Sequence, residues 1–414
     1  MKIIHISTSD KIGGAAIAAY RLNHALNQND ENSILLTLNK NTTHKNIVSI
    51  AKNKIKYSVK LKFVLTEKIK RNLLKPKYTI SLGWCGYKLH KSKEIIEADV
   101  IYIHWTGFGF LSVKGLAKIL ELNKPVIIFM HDMWFITGGC HHSFECNAYK
   151  TQCIKCPKIG NKLLNNILAT TFFLKRKYLT KYKNLHIVTP SNWLADCVRE
   201  SALFKANNIK VIPNLIDTNL FKPIEKQIAR DILNLPSNKK IILFGANGGK
   251  SDKYKGWNHL VSAISQLKRD DVIIVLFGGD ISDEEKKQLK YPIYSFGYIY
   301  DEYSTILLYN TADVFVIPSL AENFPNTILE SLACGTPVVG FNVGGIPDLV
   351  IHNETGYLAK YKDNLDLANG INWILDNEIL FPSCKLHNYV IEHYSYKKIT
   401  KQHKNYIHNL LNSI

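Results

Sequence analysis

The chain is 414 residues long and 46% of them are hydrophobic, which is enough sequence and apolar content for about two folded domains. No apolar run approaches the roughly 20 residues of a membrane-spanning helix. Residues 1–6 become polar too soon for a signal peptide, so we expect a cytoplasmic protein. The net charge of +19 and the pI near 9.4 suit nucleic acid, an anionic membrane surface or an acidic substrate.

The N-terminal residues predict the start of a doubly wound α/β domain. An apolar strand over 2–7 leads into a loop that holds Gly13 and Gly14, and an amphipathic helix follows over 15–26. Glycines at such a strand-to-helix turn let the backbone approach a ligand and leave helix N–H groups available to bind it. The pattern is not G-x-G-x-x-G, so by itself it is weak evidence for a dinucleotide.

A basic amphipathic segment covers residues 51–77, where ten Lys or Arg and one Glu are interleaved with apolar residues. The apolar members are Val59, Leu61, Phe63, Val64, Leu65 and Ile69. This pattern is typical of helices that lie on an anionic membrane surface, so we predict peripheral association with the inner face of the cell membrane. The alternative is a solvated helix on the flank of the domain. A second basic and apolar helix is predicted over 163–182.

Two predicted strands of the first domain end in histidine. The strand over 99–105 reaches His104, and the strand over 125–130 is followed by His131 and Asp132. In open α/β sheets, ligands bind at the carboxyl edge of the strands. A histidine at such a position is often only structural, but two of them at strand ends of one domain favour a site. We rank His131 above His104.

Half of the eight cysteines fall within 17 residues: Cys140, Cys146, Cys153 and Cys156. Disulfides are rare in cytosolic proteins, and the C-x2-C spacing of the last pair is that of zinc ligands. Four thiolates would close a tetrahedral structural zinc site and leave no open position for catalysis. The alternative is a buried cluster of free thiols.

The second half of the chain repeats the arrangement of strand, glycine-rich loop and helix. A strand over 239–245 leads into such a loop, which ends at Lys255 before a helix. A lysine in this position can act as a point charge for a phosphate.

Two later strands of the second half also end in glycine turns. The strand over 272–277 is followed by Gly278, and the strand over 293–296 is followed by Gly297 and Tyr298.

The most specific pattern is residues 322–347, ENFPNTILESLACGTPVVGFNVGGIP. A loop with Glu322 runs into a short helix whose first turn we assign to Pro325 and whose end we assign to Gly335. The start of that helix offers unpaired N–H groups and a partial positive charge, which suit a diphosphate. Glu330 lies roughly 6–8 Å along the axis at about 1.5 Å per residue. This is about the distance between a phosphate and the ribose of a nucleotide. A carboxylate at this position could accept hydrogen bonds from the ribose hydroxyls.

Residues 322–347 resemble the donor-binding motif of the retaining glycosyltransferases of family 4, which have the GT-B fold. The resemblance implies two Rossmann-like, doubly wound parallel-sheet domains that face each other across a cleft. It places the acceptor domain at 1–210, the nucleotide-sugar domain at 211–385 and a helical region that crosses back to the first domain at 386–414. The cysteine-rich insertion over 138–158 resembles that of relatives which build bacterial exopolysaccharide or O-antigen.

The resemblance also assigns roles to residues. It implies that His131, Glu322 and Lys255 act in catalysis and that Asp132, beside His131, lies on the acceptor side, where we also place His104 from its position at a strand end. It implies a second cation a few residues before Lys255, for which Lys250 or Lys253 is a candidate. It also implies that the turn of Gly297 and Tyr298 lies against the nucleotide base. It places the donor contacts at Gly13, Gly14, Lys255, Gly278, Gly297, Tyr298, Glu322, Asn323, Phe324, Pro325, Asn326 and Glu330.

The implied reaction is transfer of a sugar, with retention of configuration, from a UDP- or GDP-sugar to a glycan or polyprenyl-diphosphate-linked acceptor. Such a reaction belongs to the synthesis of bacterial cell-surface polysaccharides such as lipopolysaccharide. The chain has no D-x-D motif. We therefore expect catalysis without a metal cofactor, with cations and helix dipoles in its place, and a same-face attack assisted by the leaving phosphate.

Two alternatives stay open. A non-hydrolysing sugar-nucleotide epimerase uses the same fold and needs no acceptor. A nucleic-acid binder would use the net positive charge, but binding of single strands needs aromatic residues among the basic ones. Residues 51–77 contain only Tyr57 and Phe63 as aromatics, so we expect no nucleic-acid partner.

Overall fold

The computed structural model of the protein describes residues 1–50, 56–76, 78–161, 166–245, 253–279, 282–287 and 289–412. The chain forms two compact units. Unit 1 consists of Met1–Pro213 with Thr400–Ile414, and unit 2 consists of Asn214–Ile399. Within the described residues, every helix is too short or too polar to cross a membrane.

The described part of unit 1 contains a seven-stranded parallel sheet with the order β3-β2-β1-β4-β5-β6-β7. Its strands are β1 (Lys2–Ser9), β2 (Asn32–Asn39), β3 (Ile47–Ser49), β4 (Val100–Ile103), β5 (Val126–Phe129), β6 (Leu185–Thr189) and β7 (Ile209–Val211). Strands β4 and β5 are apolar and buried at every position, as a parallel sheet covered by helices requires. The strand order reverses between β1 and β4, and ligands of open α/β sheets bind at the carboxyl ends of strands at such a switch point.

The helices of unit 1 alternate with these strands. They are α1 (Gly14–Gln28), α2 (Lys56–Ile69), α3 (Lys93–Ile96), α4 (Val113–Leu120), α5 (Ile167–Leu179) and α6 (Asn192–Glu200). Helix α5 is shorter than the prediction over 163–182, because the chain leaves the helix early enough to enter β6 at Leu185. Residues 162–165 lie outside the described residues.

The described part of unit 2 contains a six-stranded parallel sheet with the order β10-β9-β8-β11-β12-β13. Its strands are β8 (Lys240–Gly245), β9 (Val272–Phe277), β10 (Ile293–Ser295), β11 (Val314–Ile317), β12 (Val338–Phe341) and β13 (Gly356–Ala359). The switch point of this sheet lies between β8 and β11. The prediction of two doubly wound parallel sheets is therefore confirmed.

The helices of unit 2 complete the fold. They are α7 (Lys226–Ile232), α8 (Trp257–Gln266), α9 (Asp283–Lys286), α10 (Glu302–Thr311), α11 (Asn326–Ala333), α12 (Asn364–Asp376) and α13 (Ser383–Tyr394). The last helix, α14 (Tyr396–Leu411), begins in unit 2. Ser395 has extended backbone angles (φ −63°, ψ 155°) and separates α13 from α14. From Thr400 onward α14 packs as part of unit 1.

Helix α11, in the motif singled out by its sequence, starts one residue later than predicted. Pro325 has φ −69° and ψ 120°, so it precedes the helix as its cap. Its fixed φ suits a helix, but its extended ψ keeps it outside the hydrogen-bonded turns. At the other end Gly335 has the predicted positive φ of 81°. A Cβ there would lie 2.4 Å from the Cβ of Ser383, so only glycine fits.

Candidate functional site

Two residues predicted to act on the donor, Lys255 and Glu322, form an ion pair in unit 2. Lys255 ends a short turn before α8 and Glu322 lies between β11 and α11, so each follows one of the two strands at the switch point. Lys255 Nζ donates to Glu322 Oε1 at 2.7 Å, and the two side chains are 29% and 12% exposed. The pair therefore joins a partly solvated cation to a carboxylate that can accept hydrogen bonds from a sugar.

The backbone beside Lys255 and Glu322 is fixed by glycine turns. The carbonyl of Glu322 accepts a hydrogen bond from the N–H of Gly345 at 3.1 Å. Gly344 has φ 59°, and a Cβ on it would lie 2.0 Å from that same carbonyl oxygen. On the other side, Gly256 has φ 73° and a Cβ there would lie 1.9 Å from the carbonyl oxygen of Pro318. Glycine is thus required on both sides of the ion pair.

Helix α11 contributes the remaining polar groups of the predicted donor site. Glu330, predicted to bind ribose, is buried and accepts a hydrogen bond from the Tyr309 hydroxyl at 3.3 Å. Asn214 Nδ2 donates to Asn326 Oδ1 at 3.1 Å and to the carbonyl of Phe324 at 3.3 Å. The loop that precedes α11 is thereby tied to the first residue of unit 2. Asn323, in the same loop, is buried.

The two glycine turns predicted to lie near the nucleotide are hydrogen-bonded to each other. The N–H of Gly278 donates to the carbonyl of Gly297 at 2.7 Å, and both residues have positive φ. Tyr298 is exposed and its ring stacks on Tyr300 with 6.4 Å between ring centroids. Exposed aromatic rings beside such turns can stack on a base.

The second cation predicted beside Lys255 is not identified. Lys250 and the side chain of Lys253 lie outside the described residues. The choice between them stays a prediction.

Unit 1 holds a solvent-open pocket of about 620 Å³ at the carboxyl edge of its sheet. It brings together three predicted residues, His104, His131 and Asp132. Its aromatic walls are formed by Phe63, Trp84, Trp105, Phe108, Trp134 and Phe135. The described residues that line it include two carboxylates, Glu67 and Asp132, and no Lys or Arg. A neutral to acidic pocket in a chain of net charge +19 is a local exception to the overall charge.

A chain of three imidazoles runs from the interior of unit 1 to this pocket. His5 Nδ1 lies 2.9 Å from His104 Nε2, and His104 Nδ1 lies 2.8 Å from His131 Nε2. Burial lowers the pKa of His5 to about 3 and that of His131 to about 4, and it also lowers the pKa of His104. The three rings are therefore neutral near pH 7. His5 was not predicted, because an isolated histidine inside an apolar strand gives no signal of a site.

Asp132 forms a second buried hydrogen-bond chain in the same pocket. Its Oδ2 lies 2.5 Å from His141 Nδ1, and His141 Nε2 lies 2.9 Å from the hydroxyl of Ser81. Its Oδ1 accepts from the N–H of Trp134 at 2.7 Å. Burial raises the pKa of Asp132, but the charge and hydrogen bond of His141 and the Trp134 N–H outweigh it, so the pKa lies below its usual value. His141 was missed, although its position directly after Cys140 was the available signal.

The predicted Gly13–Gly14 loop starts α1 at the carboxyl end of β1. Gly13 has φ 90° and its carbonyl accepts from the N–H groups of Ala16 and Ile17, both at 3.1 Å. A Cβ on Gly13 would meet no described atom within 4 Å, so the backbone angle is what requires glycine. The helix has no side-chain cap at this end. The position at the switch point suits a ligand.

The four clustered cysteines, Cys140, Cys146, Cys153 and Cys156, line a single apolar pocket of about 340 Å³. Cys140 and Cys156 are hydrogen-bonded, which raises the pKa of Cys140 and lowers that of Cys156 to about 6. In the part of the chain that the structure describes, no group of three His, Cys, Asp or Glu side chains is arranged to hold a metal ion. The predicted zinc site is therefore not preformed here, and it stays a prediction.

Helix α2, from the basic segment, borders the pocket with one face and exposes apolar residues on another. Phe63 and Glu67 line the pocket. Leu61, Val64 and Leu65 are 62%, 51% and 51% exposed. Exposed apolar side chains in a basic helix are the features that an anionic membrane surface binds.

Two family models match the chain. Residues 12–220 match the model described as Glycosyltransferase Family 4, and residues 225–393 match the model described as Glycosyl transferases group 1. An uncharacterized glycosyltransferase of Methanocaldococcus jannaschii is 27% identical over 319 residues, which cover 73% of this chain and 80% of that protein. The 2-deoxystreptamine N-acetyl-D-glucosaminyltransferase of Niallia circulans is 24% identical over 301 residues, 70% of each chain.

Solved structures share the fold. Sucrose-phosphate synthase from Thermosynechococcus elongatus superposes with a TM-score of 0.66 at 18% identity, over 100% of both chains. Anabaena HepE, solved in complex with UDP-glucose, superposes with a TM-score of 0.64 at 17% identity, again over 100% of both chains. Together with the two Rossmann-like sheets, these similarities confirm the predicted GT-B fold class.

Proposed function

The chain belongs to glycosyltransferase family 4, and on that premise we propose that it is a retaining enzyme which moves a sugar from a UDP- or GDP-sugar bound by unit 2 to a glycan acceptor bound by unit 1. The main support for the proposal is the ion pair of Lys255 and Glu322 at the switch point of unit 2. It supplies a cation for a diphosphate and a hydrogen-bond acceptor for sugar hydroxyls in one place.

The roles in donor binding follow from the surroundings of that pair. Lys255 and the first N–H groups of α11 neutralise the diphosphate, and Glu322 accepts hydrogen bonds from the sugar. Glu330 accepts hydrogen bonds from the ribose, and the turns at Gly278 and Gly297 lie beside the base. The complex of HepE with UDP-glucose supports a nucleotide sugar as donor.

The chemical problem is the departure of a nucleoside diphosphate that carries additional negative charge. Lys255 and the dipole of α11 stabilise this charge in the transition state, where one preorganised donor is worth roughly 2.7–4 kcal/mol. The bond between the anomeric carbon and the phosphate oxygen breaks while the acceptor oxygen bonds to the same face of that carbon. The acceptor proton passes to the leaving phosphate. Configuration is thus retained, and the lack of a D-x-D motif supports catalysis without a metal.

The pocket of unit 1 is proposed to bind the acceptor sugar. Its aromatic walls can pack against the C–H faces of a pyranose, and Asp132 and His131 can bind hydroxyl groups. Both ring nitrogens of His104 are engaged by His5 and His131, so His104 holds the ring of His131 in place. Since its described lining has no Lys or Arg, we expect the reacting unit to be an uncharged sugar. A diphosphate on a lipid-linked acceptor would then lie outside the pocket.

Peripheral attachment to an anionic membrane is proposed through α2. The exposed residues Leu61, Val64 and Leu65 insert between headgroups, and the lysines of the helix bind anionic lipid. Because the other face of α2 borders the pocket, this orientation would present the pocket to a polyprenyl-linked glycan. This supports a role in cell-surface polysaccharide synthesis at the cytoplasmic side of the membrane.

We also propose a structural zinc ion bound by Cys140, Cys146, Cys153 and Cys156, and its presence can be measured directly. The thiols share one pocket and Cys156 has a lowered pKa, which favours the thiolate that zinc needs. Elemental analysis of protein purified without chelator should give about one zinc per chain, lost in Cys153→Ser. A metal-free protein that is equally stable with and without chelator would instead favour the free-thiol cluster.

A donor panel tests the proposed function. UDP, GDP and their sugars are compared by thermal shift, and the stabilising donor is incubated with and without neutral acceptor glycosides. We expect one nucleotide class to raise the melting temperature and turnover to require an acceptor. Conversion of the donor sugar without acceptor would favour the epimerase. Salt-sensitive DNA binding without nucleotide affinity would favour the nucleic-acid binder.

A further inference from the structure

We infer that His5 and His104 are positioning residues which hold the proton of His131 on Nδ1, so that His131 Nε2 accepts a hydrogen bond and cannot take up a proton from the acceptor hydroxyl. The inference rests on the proposed function only for the place of His131 at the acceptor. It assigns a task to His5, which lies in β1 and does not line the pocket.

The three rings are joined in one chain of hydrogen bonds. The contacts are His5 Nδ1 to His104 Nε2 at 2.9 Å and His104 Nδ1 to His131 Nε2 at 2.8 Å. A neutral imidazole carries one N–H and one lone pair. His104 must therefore donate through one nitrogen and accept through the other. The protons of the whole chain point either towards His131 or towards His5.

The far nitrogen of His5 decides between these two directions. His5 Nε2 is buried and has no hydrogen-bond partner among the described residues. If the protons pointed towards His5, Nε2 would carry a buried N–H without an acceptor. If they point towards His131, Nε2 presents only a lone pair. Orphaned buried N–H groups are rarer in folded proteins than under-satisfied acceptors, so the second direction is favoured.

The packing around His5 keeps the ring in this orientation. Tyr102 stacks on it with 4.8 Å between centroids, and His104 lies at 5.2 Å. Helix α14 contributes His403, whose Nδ1 lies 3.1 Å from the hydroxyl of Tyr102. Burial is the main reason that the pKa of His5 is low, and a positive charge on nearby His403 would lower it further. The stacked rings and the hydrogen bond to His104 thus hold the ring of His5 in place, and burial keeps it neutral.

Asp132 is the acidic neighbour that could change the state of His131. It acts to raise the pKa of His131, yet burial dominates and the pKa falls to about 4. Both oxygens of Asp132 are engaged, Oδ2 with His141 and Oδ1 with the N–H of Trp134. His131 therefore stays neutral, and any hydrogen bond through its Nδ1 is one in which it donates.

This proton arrangement determines whether His131 can take the proton of the acceptor hydroxyl. With Nε2 engaged by His104 and Nδ1 protonated, His131 has no lone pair with which to act as a general base. The proton of the acceptor hydroxyl must leave by another route, and transfer to the departing phosphate oxygen provides one. His131 then orients a hydroxyl as a hydrogen-bond donor.

Nitrogen NMR of the whole protein with ¹⁵N-labelled histidine rings tests the inference without any substrate. The resonances of His131 are assigned by their loss in His131→Asn. We expect a protonated Nδ1 and an unprotonated Nε2 at pH 7. A protonated Nε2 on His131 in the wild-type protein would overturn the inference.

Two variants of equal size test whether His5 sets this state. His5→Asn keeps an N–H donor near the position of Nδ1, so His131 should keep its proton on Nδ1. In His5→Asp a carboxylate can only accept, so His104 must donate to it. At a pH where the ¹⁵N shifts show that His104 is neutral, His104 then accepts from His131, and the proton of His131 should move to Nε2. If both variants fold with native circular dichroism and His131 has the same tautomer in both, His5 does not set it and the inference fails.

Activity separates this inference from the proposed function. If the tautomer is as expected but no nucleotide sugar is used, the proposed function fails and the positioning role stands. If transfer occurs, His5→Asp should lower kcat at least tenfold while the KM for the donor is unchanged, and His5→Asn should stay near wild type. An equal kcat in His5→Asp and the wild type would contradict a role of this chain of histidines in the reaction.

Discussion

Lys255 and Glu322, 67 positions apart in the chain, are joined by a 2.7 Å hydrogen bond at the carboxyl edge of the sheet in unit 2. Without a donor, the cation proposed for the diphosphate is neutralised by the carboxylate proposed for the sugar. A bound diphosphate must therefore compete with Glu322 for Lys255. Free nucleotide and nucleotide sugar should consequently respond in opposite ways when this carboxylate is removed.

Glu322→Gln should bind UDP or GDP as tightly as the wild type or up to about fivefold tighter, because partly exposed pairs of this kind contribute about 0.2–1 kcal/mol. The same change should lower kcat for transfer by roughly 10–100-fold, since a hydrogen bond between a charged group and the sugar, worth about 1.5–3 kcal/mol, is lost. Calorimetry of the free nucleotide and steady-state kinetics measure the two effects. Glu378→Gln, which breaks the pair with Lys240 in the same unit, is the matched control. Weaker nucleotide binding in Glu322→Gln would argue against competition for Lys255.

Glu330→Gln should raise the KM for the donor about tenfold and change kcat little. The carboxylate is buried on α11 beside Tyr309, and its hydrogen bonds to a ribose would exist in both ground and transition states. Tyr309→Phe, which removes the hydroxyl that contacts Glu330, should give a smaller rise. Kinetics with the donor varied at saturating acceptor provide the measurement. An unchanged KM in Glu330→Gln would exclude this residue from the donor site.

Asp132→Asn should raise the KM for the acceptor and lower the free energy of unfolding by about 1–3 kcal/mol, because a charged hydrogen bond to His141 becomes a neutral one. The pKa of Asp132 is lowered in the folded state. Its contribution to stability is therefore present above the ordinary carboxyl pKa of about 3.9. It is lost as the pH falls below that value through the lowered pKa of the folded state.

Urea unfolding of wild type and Asp132→Asn at pH 7 and pH 3 measures the effect. The difference in free energy of unfolding should be largest at pH 7 and shrink towards pH 3. Asp196→Asn, which breaks an exposed pair with Arg199, should change stability by less than about 1 kcal/mol. A difference that grows towards pH 3 would contradict the assigned charge state.

His403→Asn should make the stability less sensitive to acid. Burial lowers the pKa of His403 to about 3, so the unfolded chain binds a proton below its ordinary pKa near 6.5 while the folded chain does not. Between about pH 6 and pH 4, His403 should lower the free energy of unfolding of the wild type by about 1.4 kcal/mol for each unit by which the pH falls. The variant should lack this slope while an amide keeps the contact to Tyr102. His408→Asn, at an exposed position of the same helix, is the control and should match the wild type.

Leu61→Ser combined with Leu65→Ser should reduce binding to vesicles that contain anionic lipid by at least tenfold. Replacing each of these exposed leucines removes roughly 1.5–3 kcal/mol of the free energy gained when the side chain is buried in the bilayer surface. Leu365→Ser, at an equally exposed position in unit 2, should bind like the wild type. Sedimentation with vesicles of stated phosphatidylglycerol content measures the difference. Equal sedimentation of the double variant would leave α2 as a solvated flank of the domain.

Much of the fold could be predicted, because buried parallel strands are nearly continuous apolar runs and glycines mark the turns after them. The strands β4, β5, β8 and β9 were placed to within a few residues on this basis. The exact start of α11 could not be predicted. Proline fits both a cap and a first turn, and only its ψ in the folded chain distinguishes them.

The candidate sites were predicted less completely. Lys255 and Glu322 were both named from their local motifs, but no local pattern shows that they contact each other. His5 and His141 were missed because their partners lie on other elements. His5 contacts a residue 99 positions away, and His141 contacts Ser81, 60 positions away. Contacts of this kind depend on strand order, which a motif does not contain.

Calorimetric titration of UDP and of GDP into the wild-type protein and Lys255→Met tests the central claim most directly, because it isolates the diphosphate from the sugar and from the acceptor. We predict that one of the two nucleotides binds the wild type with a stoichiometry of one and that Lys255→Met weakens its binding at least tenfold. Lys240→Met, which removes a paired lysine elsewhere in unit 2, should bind like the wild type. If neither nucleotide bound, or if Lys255→Met bound as tightly as the wild type, the donor site proposed here would be wrong.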